Sequence, residues 1–258
     1  MTRMPSCTAL FVAPDVTLYH TGPALDHGPL PSVFYFALSG QDSLCLDPYN
    51  QPVQFLSGQM LRVFSLTLPA HEAGLSPHDA LGTWAEDLSK GIDCLQTFID
   101  QIQLTLDFAI SKGFVDPHRV AIAGLSRGGL IAALAAAQEP RFRTLLAFAP
   151  LTKLALAKEF SALKENPLVA SYDAMKRADL LADRRIRLYI GNRDTRVSTE
   201  ACFAFTMALV EKAHEARIRS APIELIVSPS IGQMGHGTSA EIFRQGANWL
   251  IECLIHHG

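Results

Sequence analysis

Gly124-Leu125-Ser126-Arg127-Gly128-Gly129 contains a G-x-S-x-G run with readable structure on both sides. Before it, Arg119-Val120-Ala121-Ile122-Ala123 reads as a short, buried strand. After it, Leu130-Ile131-Ala132-Ala133-Leu134-Ala135-Ala136-Ala137 reads as a helix. Strand, G-x-S-x-G, helix is the order of a nucleophile elbow, a sharp turn that lifts a serine hydroxyl above a sheet. Glycines two residues before and two after the serine leave room for strand and helix to come close. The helix N-terminus beneath it offers free N–H groups to a developing negative charge.

Outward from this turn, strands and helices alternate. Residues 32–38 form an apolar, aromatic run that predicts a central strand, and residues 61–68 predict another, ending at Pro69. A Gly/Asp/Pro/Asn-rich connection, 39–58, lies between them. Residues 92–112 predict a long helix, with Leu95, Phe98, Ile99, Ile102, Leu106, Ala109 and Ile110 on one stripe and Gly113 as a stop. Further strands are expected at 144–149, 186–190 and 223–227, with helices at 199–218 and at the C-terminus. Thr238 and Glu241 have capping-box spacing before the last helix. Residues 1–31, with five prolines, are expected to hold one or two edge strands. The pattern predicts an α/β protein with a mostly parallel central sheet and helices on both faces. Residues 1–258 are expected to form one domain, and the helix-rich stretch 151–185 is read as a small cap over the site rather than a plain connecting helix pair.

At 258 residues the chain can bury a sizeable core, and 48% hydrophobic against 18% charged residues excludes a disordered protein. A formal net charge of −3 gives no reason to expect nucleic acid or an anionic membrane as partner. The five cysteines are widely spaced with no C-x-x-C, which argues against a disulfide framework or zinc site and for a reducing compartment. No stretch is apolar for long enough to span a bilayer, and no signal-peptide pattern stands at the N-terminus, so a cytoplasmic address is expected.

A serine hydroxyl needs a base to become nucleophilic, usually a histidine held by a carboxylate. On a parallel sheet all three sit in loops at the C-terminal ends of strands. Asp194, after the strand at 186–190, and His236, after the strand at 223–227 and flanked by Gly235 and Gly237, stand in such loops in the order Ser…Asp…His. His71, at the end of another strand, is the one competing histidine and reads as lining or bracing the site. Acyl transfer also needs two N–H donors for the oxyanion. The expected donors are the backbone N–H of Arg127 and one from the loop after residues 32–38; Gln41 is favoured there, with Gly40 and Asp42 as neighbouring alternatives. The Arg127 side chain could attract an anionic substrate group at the pocket mouth, but a solvated or ion-paired arginine at a helix start is the favoured reading.

These residues resemble the α/β-hydrolase superfamily, and within it the prolyl oligopeptidase-like and dienelactone hydrolase-like branch. Val115-Asp116-Pro117-His118-Arg119 with the elbow is similar to that branch's nucleophile segment, with its Asp-Pro turn before the strand, Asp194-Thr195-Arg196-Val197 to its acid loop, and Ile223-Glu224-Leu225-Ile226-Val227 with Gly235-His236-Gly237 to its last strand and histidine loop. The resemblance runs from about residue 32 to the C-terminus. It implies Ser126 as nucleophile, His236 as general base and acid, and Asp194 as the orienting acid. Two departures stand out. Ser39-Gly40 replaces the common His-Gly of the oxyanion loop, and 258 residues leave no room for the propeller domain of the branch's oligopeptidases. The expectation is therefore a serine hydrolase acting on a small-molecule carboxylic ester through an acyl-enzyme, with no metal or organic cofactor implied. A small peptidase or amidase with the same three residues is the first alternative. A slow-turnover, receptor-like binding protein is the second.

Overall fold

The computed structural model describes residues 7–256. In chain order it contains β1 (Thr8–Ala13), β2 (Val16–Thr21), β3 (Leu30–Phe36), α1 (Gly40–Cys45), α2 (Gln51–Leu56), β4 (Arg62–Ser65), α3 (Ala80–Ser89), α4 (Cys94–Ser111), β5 (Val115–Leu125) and α5 (Arg127–Gln138). Then follow β6 (Phe142–Phe148), α6 (Pro167–Ser171), α7 (Ala178–Leu181), β7 (Arg185–Gly191), α8 (Thr199–Glu215), β8 (Ile223–Ser228) and α9 (Ala240–Ile251). The eight strands form one sheet in the order β1-β2-β4-β3-β5-β6-β7-β8. β2 is antiparallel to β1 and to β4, and every other pairing is parallel. The expected α/β class and mostly parallel sheet are what the chain adopts.

The central strands are buried on both faces, which is why they read as continuous apolar runs rather than alternating ones. Phe34, Phe36, Val120 and Ile122 project into one layer with α3, α4, α5 and α8. Val33, Tyr35, Ala121 and Ala123 project into the other with α1, α2 and α9. Aromatic rings knit both layers: Phe36 meets Phe98 edge-on at 5.7 Å between centroids, and Phe148 meets Phe243 at 4.8 Å. Each such side chain, fully buried, contributes about 1.5–3 kcal/mol. α5 is enclosed along its length, and its run of alanines lets it lie close against β5 and β6. α4 starts at an Asp93 cap and stops where Gly113, at φ 71°, sends its own N–H to Ile110 and that of Phe114 to Ala109.

Several local expectations differ from the structure. The 39–58 connection is not plain loop but holds α1 and α2, six residues each, which the sequence pattern is too short to reveal. The cap of α9 is Ser239, whose hydroxyl accepts from Ile242 N–H, not Thr238. Asp116-Pro117 does not precede the elbow strand but forms an irregularity within β5, where Asp116 accepts from His118 N–H and Arg119 Nε. Between β6 and β7 the chain runs through short 3₁₀ segments with α6 and α7.

Arg62 was not singled out from the sequence. It is fully buried, and its guanidinium donates to four backbone carbonyls: Pro23 from Nε, Ala24 from Nη2, and Gly28 and Phe114 from Nη1. It thereby ties the 22–30 segment to β4 and to the end of α4.

Candidate active site

Ser126 sits at the junction of β5 and α5 with φ 56° and ψ −116°. A non-glycine residue in that region costs on the order of 1–3 kcal/mol and persists only where its surroundings fix it. They do so here. Ser126 N–H donates to Phe148 C=O at 2.8 Å, and Ser126 C=O accepts from Gly129 N–H at 2.9 Å and Leu151 N–H at 3.0 Å. The flanking glycines are required by contact. A Cβ on Gly124 would lie 2.1 Å from Gly128 O, and one on Gly128 would lie 2.0 Å from Phe36 O.

The structure brings Ser126, His236 and Asp194 together. Ser126 Oγ lies 2.8 Å from His236 Nε2, and His236 Nδ1 lies 2.7 Å from Asp194 Oδ2. Because a carboxylate accepts, Nδ1 carries the proton and Nε2 presents a lone pair to the serine hydroxyl. Asp194 is only 2% exposed. Its Oδ1 accepts from the N–H groups of Arg196 and Val197, and its own N–H donates to Thr199 Oγ1. Thr199 in turn donates to Gly191 C=O. Sequence reading missed Thr199, which looks only like the first residue of a helix. Behind the carboxylate, burial and the charge of Asp194 push the Cys202 thiol up to about 12.

The loops after β7 and β8 are laced together. Thr195 donates to Met234 C=O from both N–H and Oγ1, Arg193 N–H donates to Ser230 Oγ, and Ser230 N–H donates to Asn192 Oδ1. Gly235, at φ 74°, packs so tightly that a Cβ there would lie 2.2 Å from Arg193 O. Acid and imidazole are thus set by the backbone as well as by their own bond.

Among the candidate oxyanion donors, Gly40 N–H is bound to Thr67 Oγ1 and Asp42 N–H to Ser39 Oγ. Neither Gln41 N–H nor Arg127 N–H has a partner among the described residues. The loop is held from behind by Ser43 Oγ, which accepts from Ala37 and Leu38 N–H. Gly40 is pressed against the Tyr19 ring, which leaves no space for a side chain.

His71 is not part of the Ser126–His236–Asp194 chain. It is buried, its Nδ1 is 2.9 Å from Pro69 C=O, and its Nε2 is 3.3 Å from Arg127 Nη1. Among the described residues no cluster of three or more His, Cys, Asp or Glu is arranged to hold a metal, and no helix is long and apolar enough to cross a membrane.

Residues 86–254 match the model of the prolyl oligopeptidase family, Peptidase_S9. This chain belongs to that family. Like other prolyl oligopeptidase family proteins it has the α/β-hydrolase fold, and solved structures bear this out. A Thermus thermophilus protein superposes with a TM-score of 0.70 at 16% identity, over 97% of this chain and 99% of that one. A Mycobacterium tuberculosis puromycin-hydrolyzing peptidase gives 0.69 at 17% identity, over 97% of this chain but 40% of its own. The acylaminoacyl peptidase of Pyrococcus horikoshii gives 0.71 at 13% identity, over 98% and 42%. The chain therefore spans about two fifths of these peptidases. No curated protein matches the sequence.

Proposed function

We propose that the protein is a serine hydrolase that cleaves carboxylic esters through an acyl-enzyme, with Ser126 as nucleophile, His236 as general base and acid, and Asp194 as the orienting carboxylate. The observation that carries this reading is the continuous hydrogen-bonded path from Ser126 Oγ through His236 to Asp194. His236 Nε2 takes the hydroxyl proton as Oγ attacks the carbonyl. The negative oxygen that forms is received by the free N–H groups of Arg127 and Gln41. His236 then gives its proton to the leaving alcohol, and water, activated in the same way, releases the acid.

Ester rather than peptide hydrolysis is supported by a neighbour matched along most of its own length, a Klebsiella pneumoniae protein described as a candidate dienelactone hydrolase, with 92% of its chain covered, a TM-score of 0.66 and 17% identity. Peptide or amide hydrolysis is the second reading, favoured by family membership and by the peptidase neighbours. Matched chromogenic ester and anilide substrates separate the two. The ester reading expects esters to be turned over, anilides to be slower by orders of magnitude, and Ser126→Ala to abolish both turnover and labelling by a fluorophosphonate. Faster anilide cleavage would replace it with the peptidase reading, and labelling that survives Ser126→Ala would overturn both.

A further inference from the structure

Two half- or fully buried arginines in this protein treat their donors differently. Arg62 directs Nε, Nη1 and Nη2 at carbonyls and is satisfied as a structural clamp. Arg127, the residue after Ser126, is half-buried and uses Nη1 alone, which donates to Pro77 C=O at 2.7 Å and faces His71 Nε2 at 3.3 Å. The bond from His71 Nδ1 to Pro69 C=O leaves the Nε2 lone pair turned toward Arg127, so His71 braces the guanidinium as a neutral acceptor. Burial holds the His71 pKa below its ordinary value, and the Arg127 charge adds to that effect.

Nε and Nη2 of Arg127 have no partner, and no carboxylate lies within ion-pair distance of it among the described residues. Of the solvated or ion-paired arginine favoured from the sequence, the ion pair is thus not made among the described residues, and Nε and Nη2 are left to solvent or to a ligand. Burial, with the nearby charge of Arg196, pulls its pKa down to about 10, while Glu159 and Tyr49 act weakly the other way. A positioned guanidinium that has lost part of its water and holds open donors is the side chain that receives a planar anion in a two-pronged bond.

The strand order gives the side on which such an anion lies. His236 and Asp194 come from the loops after β8 and β7, and His236 protonates the leaving group in the reading above. Arg127 is tied to residues 71 and 77, in the loop after β4, which lies on the other side of β3 and β5. In the proposal that follows, the acyl group takes that side, opposite the leaving alcohol at His236. We propose that the Arg127 side chain determines specificity by binding a terminal carboxylate on the acyl group, so that the preferred substrates are half-esters of short dicarboxylic acids. This rests on the ester-hydrolase reading of Ser126.

The test compares nitrophenyl hemiglutarate with nitrophenyl valerate, its uncharged counterpart, for the wild type, Arg127→Met and Arg127→Lys. The quantity read is the ratio of kcat/KM for the charged over the neutral ester within each protein, so any loss common to both substrates cancels. The ratio should fall about 10- to 100-fold in Arg127→Met and recover in part in Arg127→Lys. An unchanged ratio would overturn the proposal, and an equal fall for esters carrying the carboxylate on the alcohol would overturn its acyl side. Calorimetric titration with glutarate reads the anion site without turnover. Binding by the wild type that weakens at least tenfold in Arg127→Met supports it, and equal or absent binding in both counts against it. Failure of the underlying reading looks different: neutral esters would then not be cleaved at all, whatever glutarate does.

Discussion

Asp194 Oδ2 and His236 Nδ1, 42 residues apart in sequence, lie 2.7 Å apart in a site where the carboxylate has almost no contact with solvent. Its second oxygen is already held by two backbone N–H groups, so Oδ2 is the oxygen left for the imidazole. Asp194→Asn keeps the size and places an N–H₂ where an acceptor is needed, which favours the wrong tautomer. Ester turnover should fall by roughly 10³- to 10⁴-fold with the melting temperature little changed. Steady-state kinetics and circular dichroism on one preparation check this, and near-normal turnover would remove Asp194 from the mechanism.

Gly128→Ala tests the elbow itself. The added methyl would sit 2.0 Å from Phe36 O, and both partners are main chain in the packed centre of the fold, so neither can move aside cheaply. A loss of about 1–3 kcal/mol or more is expected, together with a severe loss of fluorophosphonate labelling at Ser126. Gly82→Ala, at an α3 position where a Cβ meets nothing within 4 Å, should leave labelling unchanged and raise stability by up to about 1 kcal/mol.

Arg62→Met should destabilise the protein strongly without touching the site. It removes that donor from the carbonyls of Pro23, Ala24, Gly28 and Phe114, of which Ala24 and Phe114 keep only the N–H groups of His27 and Leu30. About 3 kcal/mol is expected, read as a shift in the urea midpoint at unchanged slope. A shift under about 0.5 kcal/mol would mean that water takes over the four carbonyls.

His20 predicts the acid limb of stability. It is buried against the Phe64 ring with neither ring nitrogen bonded, and burial and the charge of Arg62 lower its pKa from 6.5 to about 4. The unfolded chain takes up a proton near 6.5 and the folded one only near 4. The stability His20 provides is therefore complete above pH 6.5 and is lost as pH falls toward 4. His20→Phe should flatten this part of the profile of melting temperature against pH. Parallel profiles for the two proteins between pH 4 and 6.5 would contradict the assignment.

How much of this was legible before the structure depended on how local the signal is. The elbow is legible because its glycines, its strand and its helix all lie within twenty residues, and each reports on the same turn. Asp194 and His236 can be picked out because a parallel sheet gathers its loops at one end, so position after a strand stands in for proximity. The brace on Arg127 could not be read that way: it comes from His71 and Pro77, whose distance from Arg127 only the packed fold decides. Arg62 was hidden for a related reason. Its partners are backbone carbonyls, which every residue has, so no residue type marks them. α1 and α2 escaped because six residues show too few turns to reveal a period.

The lacing of the loops after β7 and β8 bears on how this scaffold could change over evolutionary time. Met234, Ser230 and Gly235 on one loop each engage Thr195, Arg193 or Asn192 on the other, so inserting a residue in either would break bonds in both. Lineages that alter what they act on would have to leave this pair alone and remodel elsewhere. Residues 70–79, which set Arg127, and the short helices between β6 and β7 make no hydrogen bond to either loop among the described residues and leave room to lengthen or diverge. The acid and base of the proposed mechanism are confined to one wall of the site, and novelty would have to enter from the opposite one.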